Sequence, residues 1–160
     1  MSDRTSTARD LLIVAIQDLY AAEQLLAGRM AEPLGAARDA GIVQVFEDYR
    51  SASVARVEAL ASIAGDLDEP AQGAPNIWMT GVLDDAARDA RTTKPGPLLD
   101  IALVGALRKG AHAARVSYET AIELAKGGDA CAVLTAARDE HAATDTALAR
   151  ALVRIACLAD

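Results

Sequence analysis

Polar residues interrupt the apolar stripes of the predicted helices at positions where side chains should face a core. Glu23, Arg56 and His141 each fall on such a stripe, and Asp145 lies one helical turn after His141. Buried ionisable groups are costly unless they are paired or bind a metal ion. Carboxylates and histidines that point inward from four helices are the ligands of di-iron and di-manganese bundles. The pattern therefore predicts a metal site or a buried ion-pair cluster, unless these residues lie at a wet end of the fold.

The second histidine and the two cysteines could also be reactive, but we expect them on the surface or in a chemically inert core. His112 follows Leu103 by nine residues, which places it opposite the apolar stripe of its helix, so we expect a surface histidine. Cys131 and Cys157 are far apart and match neither a metal-binding spacing nor a disulfide framework. The simplest expectation for them is a pair of buried, reduced thiols.

Proline and glycine breaks divide the sequence into helical segments. Apolar residues recur at three- and four-residue steps in four long segments, at about residues 5–37, 42–64, 97–126 and 129–158, and a shorter helix is expected at 77–91. Hydrophobic residues make up 52% of the chain but aromatic residues only 3%, so small aliphatic side chains must form the core. We predict one all-α domain over residues 1–160, an antiparallel four-helix bundle with a short extra helix between the second and third long helices.

Composition also excludes several classes of function. The net charge of -7 argues against binding to a nucleic-acid backbone, which requires a basic surface. No uninterrupted apolar run approaches the roughly 20 residues that span a bilayer, and the first residues do not resemble a signal peptide, so no membrane association and a cytoplasmic location are expected. We find no nucleophile elbow and no phosphate-binding loop.

Three short motifs carry a family resemblance. Residues 18–24 read Asp-Leu-Tyr-Ala-Ala-Glu-Gln, residues 79–82 read Met-Thr-Gly-Val with Asp85 after them, and residues 140–145 read Glu-His-Ala-Ala-Thr-Asp with Leu148 after them. Their order and spacing resemble the YciE/YciF family of ferritin-like bacterial stress proteins. The resemblance implies a ferritin-like bundle with a short extra helix, usually dimeric, and a buried two-metal site. It does not imply a defined reaction.

The metal ligands implied by this resemblance are incomplete here. Glu23 matches the ligand of the first helix, but the histidine or glutamine of the second helix falls at Arg56. On the third helix the Glu-His-x-Glu motif reads Ala-His-Ala-Ala at residues 111–114, so both carboxylates are missing. On the last helix, the second glutamate of the family's motif is replaced by His141. The ligands that remain are Glu23, Glu140, His141 and Asp145.

Arg56 offers a way to neutralise the core without metal. A guanidinium is permanently charged and forms forked hydrogen bonds with carboxylates, so we predict an ion pair from Arg56 to Glu23 or Asp145, with His141 beside it. We expect no cofactor, with a single iron or manganese ion on the remaining ligands as the alternative.

The expected function is that of a stress-associated structural or partner-binding homodimer. The alternative is peroxide- or oxygen-related redox or storage activity, and whether the chain is an enzyme stays open. Trp78 and Met79 are a candidate exposed anchor for the dimer, or a lid over the bundle end.

Overall fold

The computed structural model describes residues 5–159, and these residues form helices and no strand. The helices are α1 (Ala8–Arg29), α2 (Ala31–Ala36), α3 (Ala40–Asp66), α4 (Ile77–Thr92), α5 (Pro97–Leu124) and α6 (Ala130–Ala156). The predicted all-α bundle, with a short helix before the third long one, is therefore confirmed. The four long helices α1, α3, α6 and α5 follow one another around the bundle, and α4 packs on α5 and α1.

The first predicted helix is two helices in the structure. A single helix over residues 5–37 was expected, but α1 ends at Arg29 and the short α2 begins at Ala31. Pro33 explains the break, because its nitrogen carries no hydrogen and cannot donate to the carbonyl of Arg29 four residues earlier. The chain then turns so that α3 returns along α1. Arg50 Nε donates to the carbonyl of Ala27 at 3.1 Å, as expected of antiparallel neighbours.

Polar side chains define where three of the six described helices begin. Thr7 and Asp10 form a reciprocal capping box at the start of α1. Asp39 and Asn76 accept hydrogen bonds from the backbone of the first turns of α3 and α4. Asp129 is of a residue type that often caps helices, but its side chain makes no capping hydrogen bond, because its own backbone is already helical. The caps of α1, α3 and α4 satisfy backbone N–H groups of the first turn and so fix where these helices begin.

The apolar core consists of two halves separated by a polar layer. One half contains Phe46 and Leu148, and the other contains Leu60 and Leu134. On α3 and α6, the residues of one half lie before the inward-facing Arg56 and His141, and those of the other half lie after them. Glu23, at 1% exposure, is the member of this layer on α1. The ionisable side chains are thus placed at mid-length of the bundle, far from both ends.

Helix α4 closes over one side of the bundle. Met79 is buried with 1% exposure, and its methyl group lies beside Gly110 of α5, where a Cβ would also approach Val82 to 3.1 Å. Trp78 is half-buried and its indole nitrogen donates to Asp18 Oδ2 at 3.0 Å. The expectation that Trp78 and Met79 form an exposed anchor is therefore wrong. The close approach of α4 to the small Gly110 draws both side chains inward.

The segment Ala8–Ala36 is long and apolar enough, by length and composition, to cross a membrane, and it is the one such segment within residues 5–159. The sequence did not predict this, because Glu23 and other polar residues interrupt every apolar run. In the structure the apolar side of α1 packs against α3 and α5. The core helices of bundles commonly have this composition.

The two cysteines are more accessible than predicted. Cys131 is half-buried and Cys157 is exposed, and both are free thiols. Cys131 lies in the first turn of α6, and Cys157 is the residue that follows its last turn. The prediction of two buried thiols is therefore wrong.

Candidate functional site

One carboxylate oxygen joins all four long helices. Glu23 Oε1, on α1, accepts hydrogen bonds from Arg56 Nε of α3 at 2.9 Å and from the Tyr118 hydroxyl of α5 at 3.0 Å. His141 Nε2 of α6 lies 2.7 Å from the same oxygen. We call Glu23, Tyr49, Arg56, Tyr118 and His141 the core cluster. All five residues are at most 4% exposed, so the interactions are formed away from water.

Arg56 connects this buried oxygen to the surface of the bundle. Its Nη1 donates to Glu140 Oε2 at 2.9 Å, and its Nη2 donates to the hydroxyl of Ser53 at 3.0 Å. The Arg56 side chain is 5% exposed, whereas that of Glu140 is 55% exposed. One guanidinium therefore lies between an interior carboxylate and a carboxylate at the rim.

His141 is fully buried and its ring is held from both sides. Its Nδ1 lies 3.1 Å from the Tyr49 hydroxyl, and its Nε2 faces Glu23. A carboxylate can only accept, so the Nε2 hydrogen of His141 is donated to Glu23. The rings of Tyr49 and His141 meet edge to face, with centroids 5.5 Å apart. Tyr49, His141 and Glu23 thus form one continuous hydrogen-bonded chain.

The charges of the core cluster follow from these contacts. Burial by itself raises the pKa of Glu23, but the hydrogen bond and charge of His141, followed by those of Arg56, outweigh it and lower the pKa to about 2. Burial is also the main reason why the pKa values of Tyr49 and Tyr118 are raised, and the Glu23 charge adds to it. The carboxylate is therefore ionised and both tyrosines are protonated at neutral pH.

Asp145 lies outside the core cluster, in contrast to the prediction. Its Oδ1 accepts from Arg108 Nε at 2.6 Å and its Oδ2 lies 3.0 Å from His112 Nε2, both on α5. We call Arg108, His112 and Asp145 the outer cluster. Four residues along a helix turn a side chain about 40° away from His141 and move it about 6 Å, enough to reach the groove between α5 and α6. The His112 side chain is 52% exposed, so the predicted surface histidine is found at the surface.

The match to known proteins extends over almost the whole chain. The family model for DUF892, a domain of unknown function, matches residues 7–157. The chain belongs to the DUF892 family. Its structure is similar to the E. coli stress protein YciF, with a TM-score of 0.90 and 22% sequence identity over 95% of this chain and 98% of that one. It is also similar to YcfI, a proposed structural protein from Rhodopseudomonas palustris, with a TM-score of 0.87 and 24% identity over 92% and 96% of the two chains.

These matches confirm two of the sequence predictions. The fold of this DUF892 member is a ferritin-like helical bundle, and the resemblance to the YciE/YciF proteins holds over the chain as a whole. No curated protein matches the sequence significantly.

The donor set of this DUF892 member does not fit a two-metal centre. Within residues 5–159 no group of three or more histidine, cysteine, aspartate or glutamate side chains converges on one point. Of the predicted ligands, Glu23 and His141 meet directly, Glu140 is bonded to Arg56, and Asp145 belongs to the outer cluster. On α5, the two positions that match the glutamates of the Glu-His-x-Glu motif are Ala111 and Ala114, and both are buried.

Sequence reasoning missed the two tyrosines of the core cluster. Tyr49 and Tyr118 fall on apolar stripes and are core residues by burial. Their hydroxyls nevertheless bind His141 and Glu23. A usable signal was present, because the chain has only three tyrosines and a buried tyrosine hydroxyl needs a polar partner.

Proposed function

We propose that this DUF892 member is a non-catalytic ferritin-like protein whose core is neutralised by arginine in place of metal. The observation that carries the proposal is the position of Arg56, which donates to Glu23 and to Glu140 at 2.9 Å each. In a di-metal bundle the cations balance the inward carboxylates. Here a permanently charged guanidinium on α3 balances them, and it cannot exchange or change oxidation state.

The proposal includes the role expected from the sequence. The protein acts as a structural or partner-binding homodimer, located in the cytoplasm and associated with stress. The similarity to the stress protein YciF and to the proposed structural protein YcfI supports this role. A core cluster whose hydrogen bonds join all four long helices suits a scaffold, because each polar group that binds Glu23 comes from a different helix.

Metal content tests the central part of the proposal. Protein purified without chelator should contain far less than one iron or manganese ion per chain when measured by inductively coupled plasma mass spectrometry. Arg56→Glu should take up more divalent metal than the wild type, because it removes the internal cation and adds a carboxylate. Stoichiometric iron or manganese in the wild-type protein would contradict the proposal.

A second candidate is a single-metal protein with peroxide- or oxygen-related redox or storage activity. One observation favours it: Glu23 Oε2 is buried and has no hydrogen-bond partner among the described residues. A free buried carboxylate oxygen beside a histidine is a potential ligand pair for iron or manganese. If the metal analysis finds one ion per chain, Glu23→Gln and His141→Ala should lose it. Asp145→Asn should retain it, since Asp145 lies in the outer cluster.

The homodimer is tested separately from the metal. Exposed apolar side chains such as Ile77 and Val153, 83% and 70% exposed, provide surface that a second copy could bury. Multi-angle light scattering at micromolar concentration should give twice the chain mass of 16.6 kDa. A monomer mass would contradict the dimer and leave the argument about Arg56 unchanged.

A further inference from the structure

A cavity lies between α3 and α6, directly beside Arg56. Its volume is about 270 Å³, and its walls are alanine, valine and leucine side chains of the two helices, among them Ala59, Val133 and Ala136. Arg56, Tyr118 and Glu140 supply its polar lining. An engineered cavity of about 150 Å³ admits benzene. The cavity between α3 and α6 is larger but open to solvent along the exposed Val133, Ala136 and Glu140, so it has room for a bicyclic aromatic group or a short branched chain that stays partly exposed.

The guanidinium at this cavity has unused hydrogen-bonding capacity. Arg56 donates through Nε to Glu23, through Nη1 to Glu140 and through Nη2 to Ser53. A guanidinium has five N–H groups, so two of them have no partner among the described residues. A buried cation with spare donors beside an apolar cavity is complementary to an anionic head group on an apolar body.

Glu140 already shows which head group fits. Its carboxylate binds Arg56 from the rim, but its side chain remains 55% exposed and has no other hydrogen-bond partner among the described residues. The carboxylate of a ligand could replace that of Glu140, since exchange of one carboxylate for another leaves the charge on Arg56 balanced. The net charge of the chain is -7, so an anion is not attracted from a distance and recognition must be local.

We propose that the cavity between α3 and α6 binds a small carboxylic acid with a compact apolar body, whose carboxylate displaces Glu140 from Arg56. The inference goes beyond the structural role proposed above and does not depend on the dimer. Apolar burial against the alanine and valine side chains would supply affinity, and the charge-assisted hydrogen bonds to Arg56 would supply selectivity for the acid.

The test uses 2-naphthoate and its neutral analogue 2-naphthalenemethanol, titrated into the full chain and followed by NMR shifts of the amide groups. The acid should bind about tenfold or more tightly than the alcohol, as expected when charge-assisted hydrogen bonds are formed with one and not the other. Shifts should centre on residues 55–60 and 133–140. Equal binding of the two compounds, or no binding of the acid, would overturn the proposal.

Three variants separate displacement from simple hydrophobic uptake. Glu140→Gln should raise the affinity for naphthoate severalfold, because it removes the competing charge, and Glu123→Gln is the control, since Glu123 is an exposed glutamate that does not line the cavity. Ala136→Leu fills the cavity without touching Arg56 and should weaken binding about tenfold. If Glu140→Gln leaves the affinity unchanged or lowers it, the displacement model is wrong. The metal content of the protein is a separate measurement, so either proposal can fail alone.

Discussion

The core and outer clusters contain the same three kinds of group in opposite surroundings. Each combines a carboxylate, an arginine and a histidine: Glu23, Arg56 and His141 in one, and Asp145, Arg108 and His112 in the other. In the core cluster these side chains are 2%, 5% and 0% exposed, and in the outer cluster they are 18%, 31% and 52% exposed. The hydrogen-bond lengths are similar, so burial is the main difference between the clusters.

Burial determines what each cluster contributes. At the surface, water solvates either partner when the other is removed, and an ion pair adds about 0–1 kcal/mol. In the core, a group that loses its partner remains as an uncompensated charge, which costs several times more. Equal geometry therefore predicts unequal consequences for stability, and the following substitutions test that difference.

The largest effect is expected for Arg56→Ala. The substitution leaves the Glu23 carboxylate charged and buried, and it should lower the free energy of unfolding by about 3–5 kcal/mol. Urea unfolding followed by circular dichroism measures this value. The matched control is Arg108→Ala in the outer cluster, for which we expect about 1 kcal/mol or less. Equal losses for the two variants would contradict the comparison.

A pH-dependent loss of stability should be the next largest effect. The pKa of Glu23 is lowered from 4.5 to about 2 in the folded protein, so the native carboxylate is harder to protonate than the unfolded one. Its contribution is therefore complete above pH 4.5 and decreases as the pH falls from 4.5 towards 2, by about 3 kcal/mol in total.

Glu23→Gln isolates this contribution from those of other carboxylates. Asp39, whose pKa is also lowered to about 2, mainly by its hydrogen bond with Arg154, titrates in the same range and is present in both proteins. The difference in unfolding free energy between wild type and Glu23→Gln should therefore shrink between pH 5 and pH 3. A difference that stays constant over this interval would show that Glu23 titrates normally.

A smaller loss is expected for Tyr118→Phe, which removes one of the hydrogen-bond donors to Glu23 Oε1. A hydrogen bond to a charged group contributes about 1.5–3 kcal/mol, and the remaining donors should limit the loss to roughly 1–2 kcal/mol. Tyr20→Phe is the control, because the Tyr20 hydroxyl accepts only from the exposed Gln24. If both variants unfold at the same urea concentration, the Tyr118 hydroxyl contributes little to the core cluster.

The smallest effect is expected for Asp145→Asn. It weakens the contacts with Arg108 and His112 at the surface and should cost about 1 kcal/mol or less in low salt. The cost should fall further in about 1 M sodium chloride, where the Debye length is about 3 Å. A loss as large as that of Arg56→Ala would mean that the outer cluster is a second structural centre.

The sequence predicted those members of the core cluster whose inward-facing positions follow from helical periodicity alone. Glu23, Arg56 and His141 lie on apolar stripes, and a side chain on such a stripe must face the core of a bundle. The long helices and the short α4 were predictable for the same reason, since proline and glycine mark their ends. Periodicity says nothing about which groups meet across helices. The partnership between Glu23 and Tyr118, 95 residues apart, was therefore missed.

Asp145 shows the limit of this reasoning more directly. It follows the buried His141 by one turn, and the stripe is wide enough to include it or to leave it at the edge. Its true neighbours, Arg108 and His112, are also one turn apart, on α5. Only the rotation of α5 against α6 decides whether these residues meet in the groove. That rotation depends on packing along both helices, which a single sequence does not contain.

The apolar composition of Ala8–Ala36 has a consequence during synthesis of the chain, before the bundle has folded. Its apolar side packs against α3 and α5, but α5 ends about 90 residues further along the chain, which takes roughly 4–18 s to synthesise at 5–20 residues per second. During that interval α3 can already pack on the segment, but the side that packs against α5 stays uncovered and can meet a membrane or a targeting factor. Glu23 stands near its middle, and an ionisable side chain at the centre of a bilayer costs several kcal/mol. The residue at the centre of the folded core therefore also favours release of the nascent chain into water over insertion into lipid.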